Sequence, residues 1–330
     1  MYLRHFGLNE PPFSITPHPD FFYGGGERGD LLEALIYAVT QGEGIIKVSG
    51  EVGTGKTMLC RMLMEALPER IETIYIGNPS MEPDELLRAI AGELGLELPA
   101  EGRSGLVRRL QQVLVEHFAA GRQVVILVDE AQAMPRDSLE EIRLLSNLET
   151  GRYKLLQIIL FGQPELDEAL ARKDLRQLRE RITHGFELSP LTQKQIADYI
   201  AFRLFTAGYR GDPLFAAGTV ALIFKASMGL TRRVNILADK CLLAAFAEGA
   251  SQITRAHTKA AIRDVVFHRD LSHSGQMRQL WRKILMGLAI FMGLTIVVAL
   301  VWFAKDFDWS TWLAQWSLHM PTLPFEKVST

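Results

Sequence analysis

Cysteine is nearly absent. The 330-residue chain has only Cys60 and Cys241, far apart and with no ligand-like spacing. That excludes a disulfide-stapled scaffold and a cysteine-type zinc site, and it fits a reducing compartment. Histidine is sparse as well. Of the eight, His268 and His273 are the closest pair, and they lie in polar sequence. An excess of one charge is also missing: 36 Lys+Arg stand against 38 Asp+Glu, a net charge of −2. Such a balance gives no global electrostatic case for binding nucleic acid. Glycine (27) and proline (14) are near background, which excludes collagen-like and linker-dominated chains. There is no internal repeat and no low-complexity stretch. What is present is 48% hydrophobic and 22% charged residues, enough for one large folded domain or two ordinary ones.

Long apolar runs are absent except for one. Residues 284–304, ILMGLAIFMGLTIVVALVWFA, carry no charge. At about 1.5 Å per residue they cover roughly 30 Å, so a transmembrane helix is expected. Arg269, Arg278, Arg282 and Lys283 precede it and Lys305 alone follows closely. The positive-inside rule then places the N-terminal part in the cytoplasm and the tail outside. Trp281 and Trp302 stand where interfacial anchors stand. In the tail, Trp309, Trp312 and Trp316 recur at helical spacing, consistent with an interfacial helix or with a partly disordered stub.

Upstream, short apolar runs alternate with helical patterns. Strands are expected at Ile45–Ser49, Ile71–Ile76, Val124–Val128, Leu155–Phe161 and Ile182–Leu188. Helices are expected at Asp30–Thr40, Lys56–Leu67, Pro83–Leu94, Gly105–Ala119, Ser138–Leu148 and Glu165–Arg181. The runs at Val124–Val128 and Leu155–Phe161 are uninterrupted, as in strands buried on both faces. This alternation predicts an α/β fold with a parallel sheet between helices. From Thr192 to about His268 only helical segments are expected, forming a small all-helical lid domain.

The first strand runs into Gly50-Glu51-Val52-Gly53-Thr54-Gly55-Lys56-Thr57, which fits G-x-x-x-x-G-K-[ST]. Glycines let successive amides point inward at phosphate oxygens, and the following helix aims its positive end at the same anion. Lys56 supplies a point charge for the β- and γ-phosphates, and Thr57 a hydroxyl for Mg²⁺. The strand Val124–Val128 ends in Asp129-Glu130. There Asp129 suits the Mg²⁺ shell and Glu130 suits orienting and deprotonating the attacking water. Phosphoryl transfer also calls for an arginine, often from a neighbouring subunit. Arg181 is the first choice, Arg179 the second, with Arg176 on the same stretch. Gln163, just past a strand, stands where a polar side chain senses the γ-phosphate. Arg232 opens a helix in the lid region; it reads either as reaching back to the nucleotide or as a surface arginine.

Together these residues resemble the AAA+ superfamily, and more narrowly the ATPases of the ExeA/GspA kind. The similarity runs from Met1 to about His268. It is carried by Met1-Tyr2-Leu3, Phe6-Gly7-Leu8, Pro12-Phe13-Ser14, Thr16-Pro17, Gly42-Glu43-Gly44, the loop Gly50–Thr57, Asp129-Glu130-Ala131-Gln132, Leu144–Thr150 and Gly162-Gln163-Pro164-Glu165-Leu166. Ile46-Lys47-Val48 and Met58-Leu59-Cys60-Arg61-Met62 look most like the ATPases of mannose-sensitive haemagglutinin (MSHA) pilus assembly. The resemblance implies a P-loop AAA+ parallel-sheet core with a small helical lid. It implies ATP and Mg²⁺ as ligands, with Gly50 through Met58 and Arg232 around the nucleotide. Thr57 and Asp129 would lie at the metal, and Glu130, Gln163 and Arg181 at the chemistry. Phe13 and Ile15 are expected near the adenine. The family commonly has proline before the second-domain arginine, where Thr231 stands here.

The implied organisation is an arm and first helix (1–43), the ATPase core (44–190), the helical lid (191–270), a basic linker (271–283), the transmembrane helix (284–304) and a tryptophan-rich periplasmic tail (305–330). The implied function is an inner-membrane ATPase for assembly of a type IV-like, MSHA-type pilus, or alternatively of a type II secretion system. Its partners would be copies of itself in a ring, expected to be hexameric, and inner-membrane assembly proteins. A DNA-binding regulator of the transposition type and a nucleotide-gated scaffold with little turnover are the competing classes. Near-zero net charge counts against the first, and the complete Lys56/Asp129/Glu130 set against the second.

Overall fold

The computed structural model describes residues 2–42, 44–96, 102–151 and 153–265. An N-terminal arm begins with α1 (Tyr2–Phe6) and leads into α2 (Arg28–Gln41). Then follow β1 (Ile45–Ser49), α3 (Lys56–Ala66), β2 (Ile71–Ile76), α4 (Pro83–Glu93), α5 (Gly102–Ala119), β3 (Gln123–Val128) and α6 (Arg136–Leu145). A hairpin of β4 (Glu149–Thr150) and β5 (Tyr153–Lys154) precedes β6 (Leu156–Gly162). The core closes with α7 (Pro164–Leu170), α8 (Arg176–Arg179) and β7 (Ile182–Glu187). The remainder is helical: α9 (Gln193–Thr206), α10 (Thr219–Ser227), α11 (Thr231–Ala247) and α12 (Arg255–Asp264).

Five strands form one sheet in the order β2-β3-β6-β1-β7, every neighbouring pair parallel. The uninterrupted apolar runs belong to the interior strands, as expected. Along β3, Val124, Ile126 and Val128 face a core shared with α4, α5 and α6. Val125 and Leu127 face a second core shared with α2 and α3. Along β6, Ile158 and Leu160 divide from Ile159 and Phe161 in the same way. Each such fully buried side chain contributes about 2 kcal/mol of transfer free energy. β7 lies at the sheet edge, and its exposure alternates along Ile182–Glu187, so only one side of it is packed.

The strands at Ile45–Ser49 and Ile71–Ile76 fall where expected, and the other boundaries differ by three residues or fewer except in one region. The helix expected over Glu165–Arg181 is broken into α7, a 3-10 turn at Lys173–Leu175 and α8. Leu166, Leu170, Leu175 and Leu178 are all buried. The step from Leu170 to Leu175 is out of phase with a continuous helix, which returns to one face every three or four residues. Breaking the helix re-phases the second pair. The hairpin β4–β5 was not expected, because each strand is two residues long. In the helical part, Thr192 and Thr254 cap α9 and α12, each accepting a bond from the third residue of its helix.

The expected architecture is corrected in one respect. Among the described residues no helix is long and apolar enough to cross a membrane. The longest of them, α5, spans 18 residues but carries Arg103, Arg108, Arg109 and Glu116, and charges of that number exclude a span. The transmembrane helix expected at 284–304, the basic linker and the tryptophan-rich tail lie outside the described residues. The single-pass inner-membrane placement, with its cytoplasmic and periplasmic sides, is therefore not retained.

Candidate functional site

β1 ends at Ser49 and the chain turns through Gly50–Gly55 into α3. Gly53 and Gly55 have φ of 81° and 107°, a left-handed region that side chains disfavour. The Thr54 amide donates to Glu51 O at 3.2 Å and the Thr54 hydroxyl to the same oxygen at 2.9 Å, which closes the turn. The first amides of α3 have no carbonyl ahead of them and point, with the positive end of the helix dipole, into the space above the loop. Lys56 is buried, and its Nζ donates to Gly50 O at 2.7 Å and Glu51 O at 3.1 Å. An ammonium has three protons, so one remains for a ligand. Burial pulls the Lys56 pKa below the ordinary lysine value, opposed by the nearby Glu130 and Asp129 charges. Thr57 and Met58, half-buried, line the same cleft.

The acidic doublet sits at the end of β3. Asp129 is buried; its Oδ1 accepts from Glu130 N at 2.9 Å and its Oδ2 from the Tyr75 hydroxyl at 3.4 Å. Burial first, and the Asp129 charge second, push the Tyr75 phenol up to about 12. Glu130 has a positive φ of 51°, unusual for a side-chain-bearing residue. Its Oε2 accepts from Gln163 Nε2 at 2.8 Å and from Gln132 Nε2 at 2.6 Å. Gln132 Oε1 in turn accepts from Gln163 N at 3.0 Å. Glu130 and Gln163 are thus brought together, and Gln132 completes a closed three-residue network. Its signal was the Asp-Glu-Ala-Gln run, of which only the acidic pair was given a role.

The cleft is walled by three parts of the chain. The phosphate loop forms the floor, Ser14–Pro17 and Phe21–Tyr23 of the arm form one side, and Tyr199, Arg203, Thr231, Arg232 and Asn235 of the helical part form another. Arg232 N donates to Gly53 O at 3.0 Å, which sets the start of α11 directly on the loop. Ile15 is exposed in the cleft, whereas Phe13 is buried and packs edge-on against Phe215. Of the two arm residues expected near a base, only Ile15 lines the cleft.

Two further arginines line it, and the sequence reading missed both. Arg28 Nη2 donates to Thr54 O at 3.2 Å. Arg203 donates to Pro12 O at 2.5 Å and Ser14 O at 3.1 Å, and its guanidinium lies 4.6 Å from the centre of the Phe21 ring. Burial lowers the pKa of both, and each is bonded to carbonyls rather than to a carboxylate. Their partners are far away in sequence, so no local pattern marks them.

Arg181 lies elsewhere. Its carbonyl accepts from Ile45 N at 3.1 Å, beside the start of β1, and its Nη1 lies 3.4 Å from Ser146 Oγ. The loop follows the opposite end of β1. Five strand residues at about 3.3 Å each put roughly 16 Å between the two levels. Arg181 therefore does not join this cleft. Arg176 pairs with Glu180, and Arg179 is exposed.

The residues present fit a nucleotide with magnesium. Among the described residues no cluster of three or more His, Cys, Asp or Glu could hold a metal ion. A hydroxyl and one carboxylate, Thr57 and Asp129, match a cation that takes its remaining ligands from water and phosphate.

Comparison with known proteins agrees. A family model described as an AAA domain matches residues 39–170. General secretion pathway protein A of Aeromonas hydrophila is 38% identical over 310 residues, 93% of this chain. The resemblance to the ExeA/GspA kind of AAA+ protein holds. The chain spans 54% of that relative's length. Among solved structures, Cdc6p from Pyrobaculum aerophilum superposes with a TM-score of 0.62 at 19% identity, covering 78% of this chain and 71% of that one. The ORC2 protein of Aeropyrum pernix gives 0.60 at 16% identity, covering 79% and 73%. The RuvB Holliday junction branch migration motor of Thermotoga maritima gives 0.52 at 18% identity, covering 76% and 72%. At such identities these likenesses establish the AAA fold and nothing further.

Proposed function

We propose that the cleft binds ATP with Mg²⁺ and hydrolyses its terminal phosphate. The observation that carries this reading is the meeting of Lys56, the free first turn of α3, the Glu130–Gln132–Gln163 network and Arg232 around one cleft. The loop amides and Lys56 grip the phosphates. Thr57 and Asp129 hold the magnesium ion, which when bound offsets charge developing on the phosphate oxygens. Glu130 takes a proton from the attacking water, its carboxylate kept in place by the two carboxamides. Gln163, bonded to that carboxylate, is placed to respond to the γ-phosphate. Arg232 approaches from the helical side. Arg181 completes the site of a neighbouring copy, because it cannot reach its own; self-association into a ring, expected to be hexameric, follows from that reading.

The cellular role proposed is support of type II secretion assembly, based on the similarity to general secretion pathway protein A. The finer reading, assembly of a type IV-like, MSHA-type pilus with its assembly proteins as partners, is favoured by Ile46-Lys47-Val48 and Met58–Met62. Purified protein with Mg²⁺ should bind ATP and release phosphate. Glu130→Gln should retain binding and lose release; normal turnover in that variant would remove Glu130 as the base. Deleting the gene separates the roles: loss of exported enzymes supports secretion, and loss of surface pili alone supports the pilus.

A further inference from the structure

Two successive carbonyls of the phosphate loop are held from outside it. Thr54 O accepts from Arg28, whose same nitrogen lies 3.4 Å from Ser189 O, where the chain leaves the sheet for the helical part. Gly53 O accepts two bonds, from the Thr231 hydroxyl at 2.7 Å and from Arg232 N at 3.0 Å. The approach is close. A Cβ placed on Gly53 would lie 2.9 Å from Cβ of Arg232, and Gly53 already has a left-handed φ.

Thr231 is the first residue of α11. Leu230 precedes it as the cap residue and makes no side-chain cap bond. The Thr231 hydroxyl does not serve the helix start either; it reaches across to the loop. Proline would suit this first helical position but has no donor to offer. The Thr231 hydroxyl is directed at the Gly50–Gly55 turn.

We infer that Thr231 is a positioning residue: its hydroxyl latches the helical part onto the Gly53 carbonyl, so that swinging this part away and releasing nucleotide require breaking the same bond. The inference rests on the ATP reading of the cleft. The latch also explains why Arg232 lies at the loop, since its amide and the hydroxyl share one acceptor.

The test compares Thr231→Val, Thr231→Pro and Thr231→Ser in the full chain, with thermal unfolding as a folding control. A fluorescent ATP analogue should leave Thr231→Val and Thr231→Pro about fivefold faster than the parent, the weight of one neutral hydrogen bond. Thr231→Ser should release at the parent rate. Amide exchange over the start of α11, measured without nucleotide, should quicken in Thr231→Val and not in Thr231→Ser. Parent-like release and exchange in Thr231→Val, or equal loss in Thr231→Ser and Thr231→Val, overturns the inference. If the parent itself holds no nucleotide, the ATP reading falls, and the exchange measurement alone decides for or against the latch.

Discussion

The two edges of the parallel sheet differ in what they finish. At the carboxyl edge, β1 delivers the phosphate loop, β3 the acidic doublet and β6 Gln163; Lys56 is held by carbonyls of its own loop, Asp129 bonds Tyr75 from β2, and Glu130 bonds Gln163 from the end of β6. This is the edge at which open α/β sheets take their ligands. At the amino edge, Arg181 and the β4–β5 hairpin lie about 16 Å from the loop by strand rise. On the proposed reading, one chain assembles grip and base by itself, while Arg181, the arginine proposed for the transition state, lies at the other end of the sheet. If that reading holds, ring formation is part of the chemistry.

That contrast can be broken most directly at Arg181. Arg181→Ala is expected to keep ATP affinity and lose turnover by about 10³-fold, the weight of an arginine supplied in trans. Mixing it with Lys56→Ala should restore activity at mixed sites; phosphate release in confirmed mixed rings measures this, and no recovery would end the shared-site model. At the carboxyl edge, Glu130→Gln is expected to lower turnover by about 10²-fold or more with binding intact, read by phosphate release beside analogue binding. A smaller effect, about tenfold, is expected for Gln132→Ala, which frees the Glu130 carboxylate from one of its two donors; the loss should fall on kcat rather than KM. The mildest effect concerns pH. Because burial lowers the Lys56 pKa, the charge proposed to grip phosphate is lost at a lower pH than for a free lysine. ATP affinity measured by titration should fall as pH rises through that lowered value, and Lys56→Arg, whatever its starting affinity, should flatten the decline.

The carboxyl edge was largely legible because its signals are local. The strand, glycine turn and Lys56-Thr57 are consecutive, and Asp129-Glu130 directly follow an apolar run. The broken segment over Glu165–Arg181 was not, because charge density suggested one helix while the phase slip between Leu170 and Leu175 shows only against the core. Gln132 was visible as a letter but not as a partner. Arg28, Arg203 and Asn235 were invisible as site residues. Their bonds to Thr54, Pro12 and Ser14 join positions 26, 191 and 221 apart in the chain, and no periodicity encodes such pairs.

The seating of the arm has a consequence for how the chain is made. Pro12 and Ser14 are tethered by Arg203, Ser14 also by Asn235, and Tyr2 by Asp239. During synthesis these arm residues leave the ribosome long before their anchors exist. The sheet can close while the arm is still adrift, and the wall of the cleft that the arm supplies is completed only after α9 and α11 have emerged.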